Sequence, residues 1–227
     1  MFFPYDDINP SERTPYVTYT LIGVNILAFI LTFHWMTMPP EQQLAAFRDN
    51  GALVPADLET LDFVTSMFLH GGLMHLAGNM LFLWITGDNV EDEFHHVPFI
   101  GFYLFCGVAA SFAHVAIAPE STTPLIGASG AISGVMGAYI VLFPHSRIKI
   151  FYWIYFMVGR TQIRAVWWLG LWFGFQLLSG AAAGATGGGV AYAAHIGGFA
   201  IGALITLVVK ALGWAEGGVP EQKLPVR

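Results

Sequence analysis

Charge and cysteine are scarce in this sequence. Of its 227 residues only 11% are Asp, Glu, Lys or Arg, against about a quarter in soluble domains, while 56% are hydrophobic. A soluble protein of this size would lack the polar material to cover its surface. The mean hydropathy of +0.61 agrees, so a soluble globular domain is excluded and lipid is the solvent for much of the chain. The single cysteine, Cys106, excludes an intrachain disulfide and a multi-cysteine metal knot. Basic residues are few, nine against 15 acidic, and a formal charge of −6 argues against a nucleic-acid partner. No H-E-x-x-H occurs to suggest a zinc protease, and no G-x-S-x-G to suggest a soluble hydrolase elbow. The first residues lack both a basic start and a small-residue cleavage site, so no removed signal peptide is read.

What is present is a set of long uncharged runs. Thr14 to Pro40 is 27 residues without Asp, Glu, Lys or Arg; Phe63 to Gly87 gives 25; Phe94 to Pro119 and Ser121 to Ser146 give 26 each. Ala165 to Val209 is 45 residues, room for two crossings, broken by the Gly/Ala-rich stretch Ser179 to Gly189. A spanning helix needs about 20 apolar residues. The expectation is an all-α polytopic membrane protein, a bundle of six transmembrane helices near residues 16–35, 69–86, 97–117, 127–143, 164–179 and 191–211. Ile150 to Gly159, 10 aromatic-rich residues between Lys149 and Arg160, is expected to lie at the interface. With the N-terminus inside, eight of nine basic residues fall on the cytoplasmic side and only Arg48 outside, so the topology is read as N-in, C-in. Trp35, Trp84, Trp167, Trp168 and Trp214 fall near span ends, where interfacial anchors belong. Residues 1–15 read as a short cytoplasmic lead, 16–212 as one six-span domain, and 213–227 as a cytoplasmic tail, disordered from Ala215. Pro39, Pro40 and Pro55 argue against a continuous helix in the long connection 36–62. The short tails and the lack of a transit peptide point to a bacterial cytoplasmic (inner) membrane.

Polar side chains inside such spans are the informative ones. Span two carries His70, His75 and Asn79; span four opens with Gly127-Ala128-Ser129-Gly130; span six opens with Ala194-His195-Ile196-Gly197-Gly198. Ser129 lies 15 residues before Pro144 and His195 15 before Lys210, roughly 22 Å of helix each. His75 lies 13 residues before Asp88, roughly 20 Å. In a core about 30 Å thick, all three sit about 10 Å below the outer face. Gly130, Gly134 and Gly137 strip one side of span four, and Gly198 and Gly202 form a G-x-x-x-G pair that lets helices approach. At that crossing His195 would take the proton of Ser129 Oγ. A serine at a helix N-terminus has backbone N–H groups facing a developing oxyanion, and His75 and Asn79, at i and i+4, share a face that would donate to it. Singly, each signal has a plainer reading: G-A-S-G and G-x-x-x-G are common packing sequences, and Asn79 would serve as interhelical glue. Cys106 reads as core filling, and Ser133 as bonding its own helix backbone. The convergence in depth is what makes a site.

These residues resemble the rhomboid family of intramembrane serine proteases. HGGLMHLAGN (70–79), GASGAISG (127–134) and AHIGGFAIG (194–202), with Glu91 after span two, fall in the family's order. The resemblance covers roughly residues 16 to 212. It implies Ser129 as nucleophile and His195 as general base, a dyad without a third carboxylate. It further implies an oxyanion hole of His75, Asn79 and the Ser129 backbone N–H, with Gly127 at the turn and His70, Gly130, Gly198 and Gly202 in support. No metal or cofactor is implied, and the partners are membrane proteins with transmembrane segments and the bilayer itself. In two places the sequence departs from the pattern. Leu61-Asp62 stands where many members carry a Trp-Arg pair, and Ser133 stands where many carry an aromatic stacked on the catalytic histidine. Two other classes compete with this reading. A silent relative would lack Ser129 or His195, and a transporter would show charges or broken helices at the midplane.

Overall fold

Each apolar run folds as a helix close to its expected place. The structure is a computed structural model that describes residues 1–183 and 192–217. In chain order it contains β1 (Phe2–Asp7), α1 (Tyr16–Thr32), α2 (Pro40–Asp49), α3 (Asp62–Thr65), α4 (Leu73–Phe94), α5 (His96–Ile117), α6 (Ser129–Leu142), β2 (Arg147–Ile154), β3 (Met157–Arg164), α7 (Ala165–Ala183) and α8 (Tyr192–Ala211). Among the described residues four helical stretches are long and apolar enough to cross a bilayer: Tyr16–Thr37, His96–Ile117, Ala165–Ala182 and Tyr192–Ala211. Asp62–Phe68 with Leu73–Phe94, bent by 98°, makes a fifth if the pair counts as one span. α6 has 14 residues, about 21 Å of helix, short of a full crossing by itself.

That short helix is the centre of the bundle. Every residue from Gly130 to Tyr139 is buried, against α4, α5 and α8. Missing side chains make the approach to α8 feasible. A Cβ on Gly198 would collide with the Gly130 carbonyl oxygen, and one on Gly202 with that of Gly134. Backbone therefore touches backbone along the crossing, as small residues allow in membrane helices. Cys106 fills the core on the α5 side, with its Cβ 2.5 Å from where a Gly134 Cβ would stand.

The all-α expectation needs correction at one end of the bundle, where β1, β2 and β3 form an antiparallel sheet in that order. Arg147-Ile148-Lys149-Ile150 alternates with the period of a strand, and Ile148 and Ile150 enter the same buried cluster as Leu142 and Phe143. Residues 1–15, expected as a simple lead, supply β1, which runs from Phe2 opposite Tyr152 to Asp7 opposite Ile148. Lys149 pairs with Asp6 at 2.5 Å, and Tyr139 and Asn89 donate to the Asp7 carboxylate. Glu91, expected after the second span ends, lies within α4 and is buried. It accepts the N–H groups of Val17 and Thr18 at 2.9 and 2.7 Å, capping the free donors that open α1. Ala215 is also buried, and the Glu216 N–H donates to Glu93 at 3.1 Å, so the expected disorder does not begin at Ala215; the tail expected beyond residue 217 lies outside the described residues.

At the opposite end, connection 36–62 contains α2 and no continuous helix. Trp35 is no interfacial anchor: only 8% exposed, it meets Phe47 edge-on at 5.3 Å in a small cluster with Ala52 and Leu69. Backbone bonds between Leu53 and Leu125, and the Arg48 guanidinium donating to the Thr122 carbonyl, complete the fastening. These contacts hold a loop whose Leu61 is exposed and whose Asp62 is buried.

Candidate active site

The turn before α6 sets the geometry. Gly127 has φ +114°, a left-handed conformation that only glycine adopts readily. Its N–H donates to the Ser66 carbonyl at 2.8 Å, and a Cβ there would stand 2.7 Å from the His75 ring. Two residues on, Ser129 is the first residue of α6, where backbone N–H groups have no helical partner. Its hydroxyl lies 2.8 Å from His195 Nε2, on the first turn of α8. Both side chains are half-buried.

The histidine is held from behind by two residues that the sequence reading passed over. His195 Nδ1 lies 2.9 Å from Gln176 Oε1. A carbonyl oxygen only accepts, so Nδ1 carries the proton and Nε2 is left to accept from Ser129. Trp172, one turn before Gln176 and on the same face of α7, sets its ring 5.9 Å from the imidazole. Both lie against the imidazole, whereas Ser133 does not reach it: Ser133 Oγ donates to the Ser129 carbonyl at 2.6 Å. One signal was available. Gln176 is an amide within a 45-residue charge-free run, and it is buried.

Across the turn, α4 presents the other polar groups. Asn79 Nδ2 donates to His70 Nε2 at 2.9 Å, and His70 Nδ1 in turn faces the Phe68 carbonyl at 3.4 Å. His75 Nδ1 accepts the Gly71 N–H at 3.4 Å, which leaves Nε2–H as a donor on the side of Gly127. A Gly127 Cβ would also lie 3.5 Å from Asn79 Nδ2. The structure thus gathers Ser129, His195, His75, Asn79, His70 and Gly127 at one place. Gly130, Gly198 and Gly202 form the crossing behind them. A small cavity beside α6 is lined by Ser66, Met67, Ser111 and Ser129. Among the described residues no group of three His, Cys, Asp or Glu side chains is arranged to hold a metal ion.

Comparison with known proteins adds an independent line. Residues 57–211 match the family model of the Rhomboid domain. The chain is 30% identical over 217 residues to rhomboid protein 1, mitochondrial, of Saccharomyces cerevisiae, covering 89% of this chain and 54% of the yeast protein. It is 33% identical over 163 residues to the rhomboid protease GluP of Bacillus subtilis, covering 72% of this chain and 31% of that protein. The human presenilin-associated rhomboid-like protein, mitochondrial, is 28% identical over 150 residues, 65% of this chain and 38% of its own length. The chain therefore spans between about a third and about half of the length of these relatives.

Proposed function

Because the chain belongs to the rhomboid family, we propose that it is an intramembrane serine endopeptidase. It hydrolyses peptide bonds in or near the transmembrane segments of membrane-protein substrates through a Ser129–His195 dyad. The observation that carries this reading is the 2.8 Å contact between Ser129 Oγ and His195 Nε2, made between two apolar helices. In the first step Ser129 Oγ attacks the scissile carbonyl carbon and its proton passes to His195 Nε2. The Gln176 oxygen supports the imidazolium through Nδ1–H. Negative charge on the carbonyl oxygen is met by the Ser129 N–H, the Asn79 amide and His75 Nε2–H. His195 then protonates the departing amine, and water, deprotonated by the same nitrogen, releases the acyl group from Ser129.

The membrane arrangement belongs to the same proposal. α1, the α3–α4 pair, α5, α6, α7 and α8 are taken as six spans, with residues 16–212 as the protease domain. Eight of nine basic residues then lie with both termini on the cytoplasmic side, which supports N-in, C-in, and the membrane we propose is a bacterial cytoplasmic one. Purified protein reconstituted in vesicles with a panel of single-span substrates is expected to cleave a subset of them within or beside the apolar segment. A folded protein that binds such substrates and cuts none would identify a silent relative.

A further inference from the structure

The hairpin of β2 and β3 breaks the usual rule for its own turn. Ile154 pairs with Met157, so the loop is the two residues Tyr155 and Phe156. Such a loop favours Asn-Gly or another glycine-containing pair, because left-handed backbone is required. Here Tyr155 takes φ +52°, and the two aromatics are 90% and 93% exposed. Trp153, Ile154, Met157 and Val158 are exposed beside them to lesser degrees, from 38% to 59%, which gives six consecutive exposed apolar residues. A sequence that sets two bulky rings where glycine fits best has something other than the turn to satisfy.

The rest of the hairpin shows what that is. Side chains alternate between faces. Ile148, Ile150, Tyr152 and Ile154, with Ile163, Thr161, Gly159 and Met157 opposite, make one face largely apolar, and at its base this face seals the end of the bundle. Arg147, Lys149, Arg160 and Arg164 share the other face with Gln162 and Phe151, and Trp153 and Val158 continue that face at the tip. Of these, Lys149 is paired with Asp6, and the Arg160 guanidinium stands 6.0 Å from the Tyr5 ring. Past Tyr152 the apolar face runs beyond the bundle, and what surrounds a membrane bundle is lipid. We propose that the tip, Trp153 to Val158, inserts into the headgroup–acyl boundary of the leaflet on its own side, and that Arg147, Arg160 and Arg164 meet anionic lipid phosphates. Aromatic rings at the boundary and cations at headgroup level form the pattern of interfacial elements. The inference rests on the membrane placement and is independent of the proteolytic reading.

Depth-dependent quenching tests it. In a Cys106→Ser background, Phe156→Cys and Gln162→Cys are labelled with an environment-sensitive fluorophore and reconstituted in phosphatidylcholine vesicles with or without phosphatidylglycerol. The Phe156 label is expected to emit blue-shifted and to be quenched more by lipid with a nitroxide at acyl position 5 than at position 12. The Gln162 label, on the basic face, should emit as in water. Removing phosphatidylglycerol should reduce the quenching at 156 at least twofold, and Arg147→Gln with Arg160→Gln and Arg164→Gln should remove that dependence. A water-like Phe156 label overturns the proposal. So does a blue-shifted label that neither nitroxide quenches, since it would be buried against protein. Quenching indifferent to phosphatidylglycerol overturns the role of the arginines.

Discussion

At the scale of single residues, the site depends on tautomers fixed by hydrogen bonds. Gln176 accepts from His195 Nδ1 and so determines which nitrogen faces Ser129. Gln176→Leu removes one such bond, worth roughly 0.5–1.5 kcal/mol. Turnover is therefore expected to fall about threefold to tenfold with KM little changed, and Gln176→Glu, which keeps an acceptor, should restore most of it. A Leu variant with full turnover, or a Glu variant as impaired as Leu, would reduce Gln176 to packing. Asn79 is proposed as one of three oxyanion donors. Losing one donor typically costs about 100- to 1,000-fold, and with three sharing the charge Asn79→Ala should fall at or below the low end, in kcat rather than KM. If that variant unfolds in detergent with no specific loss of turnover, Asn79 is a packing residue. Ser129, His195, His75 and Asn79 were legible from the sequence because each is polar where hydrocarbon tolerates little polarity. Gln176 and Trp172 were missed because no pattern within α7 says which face meets α8; the meeting is a tertiary fact.

At the scale of elements, the β1 strand carries a titration of its own. Burial pushes the Asp7 carboxyl up to about 7 from 3.8, against the opposing pull of the Tyr139 hydroxyl and with added push from Asp88 and Asp6. The folded state therefore holds this proton more tightly than the unfolded chain. The stability it contributes is full below the unfolded value and is lost as pH rises through the folded one. Between pH 4 and pH 8 that loss is on the order of 4 kcal/mol for this group alone. Thermal unfolding in detergent should show the midpoint falling as pH rises from 5 to 8, with Asp7→Asn flattening the slope. An unchanged slope in the variant would place the titration elsewhere. The strand itself went unread for a physical reason. Phe2–Asp7 has no hydrophobic alternation to announce it, and its pairing partner lies some 140 residues away in sequence. For β2 the alternating Arg147-Ile148-Lys149-Ile150 was a readable signal that a 10-residue aromatic run obscured. The helices were legible because their length and apolarity are set by the bilayer.

At the scale of the whole molecule, the sheet and the α2 loop lie at opposite ends of the bundle, so sidedness follows from a few exposed positions. In a Cys106→Ser background, single cysteines at His145 and at Gln42 or Glu120 should react oppositely with a membrane-impermeant maleimide. In right-side-out vesicles, Gln42→Cys and Glu120→Cys are expected to label at once, and His145→Cys only after permeabilisation. Labelling of His145→Cys from outside would break the six-span, N-in arrangement. The most direct measurement addresses the nucleophile. Protein in vesicles is treated with a fluorophosphonate, the adduct is located by peptide mapping, and cleavage of a single-span substrate is followed in parallel. The adduct is expected on Ser129, and Ser129→Ala and His195→Ala should lose both labelling and cleavage while remaining folded. An adduct on Ser133, or cleavage that persists in Ser129→Ala, would contradict the Ser129–His195 dyad.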